Sequence, residues 1–286
     1  MVEVWHKGQD ILGEGPVWHS SEDALYWLDI KGKKLQRRTL SGQYNSWSLP
    51  ERASALAFQE KDILLLATES GLYDYTLSTD TMTRRVSLEP ELPHNRSNEG
   101  KCDPWGNFWC GTMDDTEQQK SGALYRYTPN GEWTKQLDGI GISNTLAWSP
   151  DGTIMYFADS LEQTMYAFDI EPESGKLTNQ RIFLSTKGTQ ATPDGSAMDT
   201  EGHLWNCQWD GGKVVRYAPD GSIKQVIELP VSRPTSCAFG GKEMKTLFIT
   251  SASVGLSEVQ RQQEPLAGAV FAVEVAIRGA EIPAFT

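Results

Sequence analysis

Six short apolar segments that recur along this chain of 286 residues constrain its fold most strongly. Each segment ends in a bulky residue and has a polar residue four positions earlier. The bulky residues are Trp18, Phe58, Cys102, Trp148, Met198 and Phe239. The polar residues are Glu14, Ser54, Asn98, Asn144, Asp194 and Thr235. Consecutive copies are about 40 to 50 residues apart, a period typical of propeller blades rather than of helical or leucine-rich repeats.

The residues between these segments follow the pattern of β-hairpins. Turns marked by Gly or Asp-Gly lead into further strands, as at Asp151-Gly152 before Met155–Asp159. Aromatic and polar residues alternate in strands such as Ala123–Tyr127, which ends in Tyr125-Arg126-Tyr127. No segment shows a sustained helical period with caps. We therefore predict an all-β chain, a six-bladed β-propeller of four-stranded antiparallel blades, in a single domain over residues 1–286.

Two further segments complete the predicted architecture. A closed propeller needs a latch, and the leading segment Val2–His6 is expected to pair with the last blade beside Val270–Val275. The charged, Gln-rich segment Ser257–Pro265 interrupts that blade. It is therefore predicted to be a surface loop.

Charge and composition exclude several classes of function. The formal net charge is −12, so we expect no nucleic-acid partner. The first residues lack the apolar core of a signal peptide, and no apolar run reaches the roughly 20 residues of a membrane span. We therefore expect a cytoplasmic protein without membrane association. The four Cys residues form no C-x-x-C pair, and we expect them to be reduced core thiols.

The aligned polar residues suggest a metal site. In a propeller the first strand of each blade lines the central channel, so Glu14, Asn98, Asn144 and Asp194 are expected to converge. Carboxylates brought together in a partly buried site repel each other, and a divalent cation would offset that repulsion. Carboxylate and amide oxygens suit Ca²⁺, Mg²⁺ or Mn²⁺, although Zn²⁺ and Fe²⁺ also occupy such sites.

A simpler interpretation of the same residues remains open. Asp and Asn at the start of a strand are ordinary turn residues, and Ser54 and Thr235 fit a role as turn caps better than a role as ligands. Glu14 fits that role less well because Glu is not a typical turn residue. The spacing alone does not decide between these interpretations.

Six motifs follow one another along nearly the whole chain: Gly13-Glu14-Gly15-Pro16-Val17-Trp18, Asn95-Arg96-Ser97-Asn98-Glu99-Gly100-Lys101 with Asp103-Pro104, Gly111-Thr112-Met113, Ile142-Ser143-Asn144, Pro193-Asp194-Gly195 and Thr235-Ser236-Cys237-Ala238-Phe239-Gly240-Gly241. Together they resemble the SMP-30/gluconolactonase family, which includes regucalcin and the bacterial sugar lactonases. The resemblance implies a six-bladed propeller with one catalytic divalent metal ion. It also implies hydrolysis of a small sugar (aldono) lactone to the aldonic acid, in sugar catabolism.

The resemblance also assigns roles to individual residues. By position, Glu14, Asn144 and Asp194 match the metal ligands of the family, and Asp194 matches its acid/base residue. Arg96 and Asn98 match residues that contact the sugar lactone. Two departures concern the surroundings of the site: Glu99 stands where many relatives have Asp, and Thr145 stands where Gly is common. An acidic substrate contact that some relatives have after Gly-Thr-Met has no clean counterpart, and Glu117 is the nearest candidate.

Two other functions remain open at this stage. A related propeller hydrolase could act on phosphotriesters or other esters, because the same cation would polarise P=O as well as C=O. A calcium-binding or protein-interaction propeller without catalytic activity is the second, because a fold alone does not define a function.

Overall fold

The computed structural model describes residues 1–60 and 62–286, and almost all regular structure there is β-strand. The strands in the first half of the chain are β1 (Glu3–His6), β2 (Gly13–His19), β3 (Ala24–Asp29), β4 (Lys34–Thr39), β5 (Tyr44–Ser48), β6 (Ala53–Phe58), β7 (Ile63–Thr68), β8 (Gly71–Thr76), β9 (Thr81–Ser87), β10 (Asn95–Cys102), β11 (Phe108–Asp114) and β12 (Gly122–Tyr127). Those in the second half are β13 (Trp133–Ile140), β14 (Ser143–Trp148), β15 (Ile154–Asp159), β16 (Thr164–Ile170), β17 (Leu177–Ser185), β18 (Thr192–Met198), β19 (Leu204–Trp209), β20 (Lys213–Tyr217), β21 (Ile223–Glu228), β22 (Pro234–Gly240), β23 (Thr246–Ser251) and β24 (Val270–Glu274).

Over the described ranges the strands form six antiparallel sheets of four strands each, so the prediction of an all-β, six-bladed β-propeller is confirmed. Five sheets are runs of consecutive strands: β2 to β5, β6 to β9, β10 to β13, β14 to β17 and β18 to β21. The sixth has the order β1-β24-β23-β22, with Val4 opposite Phe271. The first strand of the chain thus supplies the outer strand of the last blade.

The chain divides into two compact units of three blades each. Unit 1 comprises residues 1–50 and 186–281, and unit 2 comprises residues 51–185 and 282–286. In unit 1 a continuous core includes the fully buried Trp27 and Trp205. In unit 2 the ring of Phe285 stacks on Tyr127 at 5.4 Å, which anchors the end of the chain. The prediction that residues 1–286 form one domain stays a prediction.

Two blades have the same set of buried hydrogen bonds at the turn between their first and second strands. The sequence pattern is Asp-x-x-Gly-x-x-Trp, at Asp103 to Trp109 in unit 2 and at Asp199 to Trp205 in unit 1. In each copy the Asp carboxylate accepts the indole N–H of the Trp at 2.9 Å and also accepts backbone N–H groups of the turn. These hydrogen bonds hold the Trp, a large core residue, against the turn that precedes its strand.

The segment Ser257–Pro265 differs from its prediction as a surface loop, because it contains the α-helix α1 (Glu258–Gln263). Ser257 accepts a hydrogen bond from the backbone N–H of Gln260, whose side chain in turn accepts one from the backbone of Ser257. This capping box stabilises a helix too short to show a helical period. No helix within residues 1–60 and 62–286 is long and apolar enough to cross a membrane.

Candidate functional site

All six aligned polar residues lie in the first strand of a sheet, and each of those strands is irregular at that point. The ladder shifts register at Glu14/Val17, Ala53/Ala55, Ser97/Gly100, Asn144/Ala147, Pro193/Ser196 and Pro234/Cys237. β-Bulges change the direction of a side chain and are frequent beside active sites. The recurrence of one irregularity at one position indicates that these strands are shaped to direct these side chains.

The two predicted carboxylate ligands, Glu14 and Asp194, both lie on first strands of blades in unit 1. Glu14 is half-buried on β2, where its Oε2 accepts the backbone N–H of Gly15 at 2.8 Å. Asp194 is buried on β18, and its backbone carbonyl accepts the side-chain amide of Asn206 at 2.9 Å. Burial raises the pKa of the Cys207 thiol, the neighbouring Cys237 raises it further, and the charges of Asp194 and Glu14 act in the same direction. The strands that carry the two carboxylates, β2 and β18, both pack against β22.

Gly195 follows Asp194 because β18 packs tightly against β22. A Cβ atom at Gly195 would lie 2.1 Å from Oγ of Ser236, which is closer than any real contact allows. Only Gly fits at this position. Close packing of the two strands therefore explains the Gly in the Pro193-Asp194-Gly195 motif and fixes the backbone that carries the Asp194 carboxylate.

In unit 2, the structure brings Arg96, Asn98 and Asn144 into one hydrogen-bonded chain. Nη1 of Arg96 donates to Oδ1 of Asn98 at 2.8 Å. Nδ2 of Asn98 donates to the carbonyl oxygen of Ser143 at 2.9 Å and to Oδ1 of Asn144 at 3.3 Å. The predicted substrate-contact residues thus adjoin one predicted metal ligand directly.

The amide of Asn144 has a defined orientation. Its Nδ2 donates to Oγ of Ser160 at 2.8 Å, so Oδ1 is the end of the amide that lies toward Asn98. The next residue, Thr145, is fully buried and has φ of 51°. A β-branched residue in the left-handed region is strained. The bulge after Asn144 therefore forms at an energetic cost, and this explains why Gly is suited to the position of Thr145.

Arg96 is deeply buried, with 5% of its surface exposed, and its neighbours compensate its charge. Nε donates to Oδ1 of Asp115 at 2.7 Å, and Nη1 also donates to the carbonyl oxygen of Ser97 at 2.9 Å. Burial lowers the pKa of the Arg96 guanidinium, and Asp115 opposes that effect. The third nitrogen, Nη2, makes no hydrogen bond to a described residue and is left as a donor.

Asp115 and Arg52 are two residues of this cluster that we did not predict. Nη1 of Arg52 donates to Oδ1 and Oδ2 of Asp115 at 3.0 and 2.9 Å, so Asp115 lies between two guanidinium groups. Burial alone would raise the pKa of Asp115, but the hydrogen bonds from Arg52 and Arg96 lower it. Asp115 follows the Gly-Thr-Met motif, and this was the only sequence signal that could have identified it.

The two acidic residues whose role the sequence left open differ in their surroundings. Glu99 is buried on β10, and burial raises the pKa of its carboxyl group. Its Oε1 accepts the N–H of Gly100 at 3.0 Å, whereas Oε2 has no hydrogen-bond partner among the described residues. Glu117 is exposed, and the loop that carries it places Asp115, rather than Glu117, in contact with Arg96.

Ser54 and Thr235 are buried and connect neighbouring blades within each unit. Oγ of Ser54 donates to Oγ of Ser97 at 2.7 Å, which joins β6 to β10. Oγ1 of Thr235 donates to the carbonyl oxygen of Gly13 at 2.5 Å, which joins β22 to β2. The simpler interpretation of Ser54 and Thr235 was that they cap turns. In the structure both residues lie in strands and form hydrogen bonds to a neighbouring blade.

Across residues 1–60 and 62–286, no group of three or more His, Cys, Asp and Glu side chains is placed to hold a metal ion. The predicted ligand set would not form such a group, because it contains two carboxylates and one amide. Its donors are all hard oxygen atoms, and the fixed orientation of Asn144 makes Oδ1 its oxygen donor. The oxygen donors of Glu14, Asn144 and Asp194 are therefore chemically suited to bind a divalent cation.

Comparison with known proteins relates nearly the whole chain to one family. Residues 12–253 match the family model described as the SMP-30/gluconolactonase/LRE-like region. A 6-deoxy-6-sulfogluconolactonase of Pseudomonas putida is 34% identical over 276 residues, which cover 96% of this chain and 95% of the relative. An L-arabinolactonase of Azospirillum brasilense is 37% identical over 271 residues, which cover 93% of this chain and 89% of the relative.

A solved structure is similar over the same extent. The crystal structure of regucalcin from Agrobacterium tumefaciens, described as a calcium-binding protein, superimposes with a TM-score of 0.95 at 32% identity. The similarity covers 99% of this chain and 96% of that chain.

Proposed function

The chain belongs to the SMP-30/gluconolactonase/LRE-like family, and on that premise we propose that it hydrolyses a small sugar lactone to the corresponding aldonic acid. Lactonases hydrolyse cyclic carboxylic esters, and the chain is a hydrolase of this class. The observation that carries the proposal is the hydrogen-bonded chain Arg96–Asn98–Asn144 in unit 2. A site that bound an ion for structural reasons alone would not need a buried guanidinium group beside it.

We further propose that Glu14, Asn144 and Asp194 bind one divalent cation. Two carboxylates and an amide oxygen are ligands suited to Ca²⁺, Mg²⁺ or Mn²⁺, and Zn²⁺ or Fe²⁺ also accept them. When bound, such a cation polarises the ester carbonyl and stabilises negative charge on its oxygen. Because one of the three ligands is neutral, the ligand set carries a smaller negative charge than three carboxylates would.

Asp194 is the proposed catalytic base. Its carboxylate would accept a proton from the attacking water as the new C–O bond forms at the lactone carbonyl carbon. The ring C–O bond then breaks, and Asp194 returns the proton to the departing ring oxygen, so that lactone and water give the hydroxy acid. Tight packing of Gly195 against Ser236 keeps the backbone of this residue in place during both proton transfers.

Arg96 and Asn98 would position the substrate. Nη2 of Arg96 has no hydrogen bond to a described residue and can donate to a sugar hydroxyl, while the other nitrogens are held by Asp115, Ser97 and Asn98. A donor that is already fixed loses little entropy on binding, and it holds the carbonyl carbon in a reactive orientation.

Replacement of Arg96 by Ala should weaken substrate binding more than it slows the chemical step. Loss of a charged hydrogen-bond donor is expected to raise KM by about 10-fold to 100-fold, with a smaller change in kcat. Steady-state kinetics on the preferred lactone measure both constants. Arg85→Ala is a matched control, because Arg85 pairs with Asp74 in the same unit and is largely exposed. An unchanged KM in Arg96→Ala would contradict the assigned role.

A substrate panel tests the proposed reaction class. Acid release from aldono-1,4- and 1,5-lactones, corrected for spontaneous hydrolysis, should be accelerated for one or a few sugars. Phosphotriesters and open-chain esters in the same assay test the alternative function, a related propeller hydrolase that acts on phosphotriesters or other esters. Folded protein that binds a divalent cation but accelerates none of these reactions would support the calcium-binding or interaction propeller instead.

A further inference from the structure

Arg52, an arginine outside the family motifs, is linked to Arg96, the predicted substrate contact, through the carboxylate of Asp115. Arg52 immediately precedes β6 in one blade of unit 2, and Arg96 lies on β10 in the next. Asp115, just after β11, accepts hydrogen bonds from both guanidinium groups. We propose that Arg52 is a positioning residue for substrate binding, which acts through Asp115 on the orientation of Arg96.

Asp115 needs a second cation to hold its position. Its side chain is 33% exposed, and it lies at the start of the loop that follows β11. An ion pair with one partly exposed carboxylate contributes little, because water competes for the carboxylate and its side chain has other rotamers. Oδ1 of Asp115 contacts both arginines, whereas Oδ2 contacts only Arg52. Arg52 thereby fixes the rotation of the carboxylate, which Arg96 alone would leave undetermined.

Arg52 is itself held from the opposite side. Its Nε donates to Oε2 of Glu69 at 2.6 Å, and its backbone N–H donates to Oε1 of Glu69 at 3.2 Å. Glu69 lies in the turn between β7 and β8, in the same blade as Arg52. Hydrogen bonds to Asp115 and Glu69 raise the pKa of Arg52 against the effect of burial. The guanidinium group is a rigid fork, so these contacts fix its plane as well as its charge.

The resulting chain of contacts is continuous from Glu69 to Asn144. It runs through Arg52, Asp115, Arg96 and Asn98, and each step is a hydrogen bond of 3.3 Å or less. Nη2 makes no hydrogen bond to a described residue in either Arg52 or Arg96, and of the two only Arg96 matches a substrate contact of the family. A change at Arg52 should therefore reach the substrate through the orientation of Arg96, without contact between Arg52 and the substrate.

The kinetic test rests on the proposed function. Arg52→Met should raise KM for the lactone by about 5-fold to 30-fold and leave kcat within about 3-fold, the pattern of lost binding without lost chemistry. Arg52→Lys keeps the charge without the fork and should fall between wild type and Arg52→Met. Arg85→Met removes an exposed arginine from its carboxylate in the same unit and should leave KM unchanged. A purely structural role would reduce the active fraction and the apparent kcat, with KM unchanged, and would overturn the proposal.

A double mutant distinguishes two ways in which Arg52 could affect KM: by positioning Arg96 through Asp115, or by a direct effect on substrate binding. If Arg52 acts through Asp115, then Arg52→Met should have little further effect on KM in protein that already carries Asp115→Asn. Independent, additive increases in KM from the two substitutions would overturn the proposed route.

A second measurement does not depend on lactone hydrolysis. The Nε–H group of Arg96 gives an NMR signal that is assigned by its loss in Arg96→Lys. In Arg52→Met this signal should shift, and its proton should exchange with water faster, because Asp115 no longer stays in place as its acceptor. An unchanged signal and exchange rate would overturn the proposal even if no lactone proved to be a substrate. Absence of turnover by wild type would count against the proposed function alone.

Discussion

Replacing Asp194 by Asn is expected to lower kcat for lactone hydrolysis by about 10² to 10⁴-fold, the range for loss of a general base. The amide is nearly isosteric with the carboxylate but cannot accept the proton of the attacking water. One hydrogen bond at this residue is accepted by its backbone carbonyl from the side-chain amide of Asn206, and the substitution leaves this bond unaffected. The protein should therefore fold normally, which circular dichroism and the thermal unfolding midpoint measure.

Asp220→Asn is the matched control for that experiment. Asp220 lies in a surface turn of the same unit, where its carboxylate accepts the N–H of Ser222. The substitution should leave kcat unchanged. Retained turnover in purified, folded Asp194→Asn would show that another group accepts the proton and would overturn the proposed mechanism.

Replacing Asp103 by Ala is expected to lower the free energy of unfolding by about 3 to 5 kcal/mol, the cost of removing one partner from a buried, hydrogen-bonded charge. Asp103 is fully buried and accepts hydrogen bonds from the backbone N–H groups of Trp105 and Asn107 and from the indole of Trp109. It also lies 3.8 Å from the buried Nε of Arg126. All these donors would lose their acceptor. Equilibrium unfolding in urea measures the difference.

Asp151 provides the matched comparison for Asp103. It lies in the corresponding turn of the next blade, but it is exposed and its carboxylate is bonded to Ser149 and Thr153 at the surface. Asp151→Ala should lower the free energy of unfolding by no more than about 1 kcal/mol. Equal losses in the two variants would show that the turn, rather than the buried carboxylate, sets the stability.

The repeat predicted the number and type of blades because every first strand carries the same local pattern. That pattern is a polar residue four positions before a bulky one, and it can be read from a few neighbouring residues in the sequence. The pattern did not predict the register shift at each of these strands, because a bulge depends on which partner carbonyls and N–H groups meet. The helix Glu258–Gln263 escaped prediction because its signal is a capping box of four residues rather than a period.

The candidate site was predictable only where its residues lie inside the motifs. Arg96, Asn98 and Asn144 were predicted from sequence, and the structure places them in one hydrogen-bonded chain. Asp115 is 19 residues from Arg96, and Arg52 is 63 residues from Asp115. The first contact lies within one blade and the second joins two blades. Both depend on side-chain rotamers and on the course of a loop, neither of which the spacing of residues encodes.

We propose that this chain hydrolyses a sugar lactone with a divalent cation bound by Glu14, Asn144 and Asp194. The most direct test is the rate of acid release from the preferred lactone by EDTA-treated protein, before and after addition of Ca²⁺, Mg²⁺, Mn²⁺, Zn²⁺ or Fe²⁺. We expect loss of activity on treatment and recovery with one or more of these ions. Full activity in metal-free protein, or no activity with any ion and any aldonolactone from folded protein, would contradict this proposal.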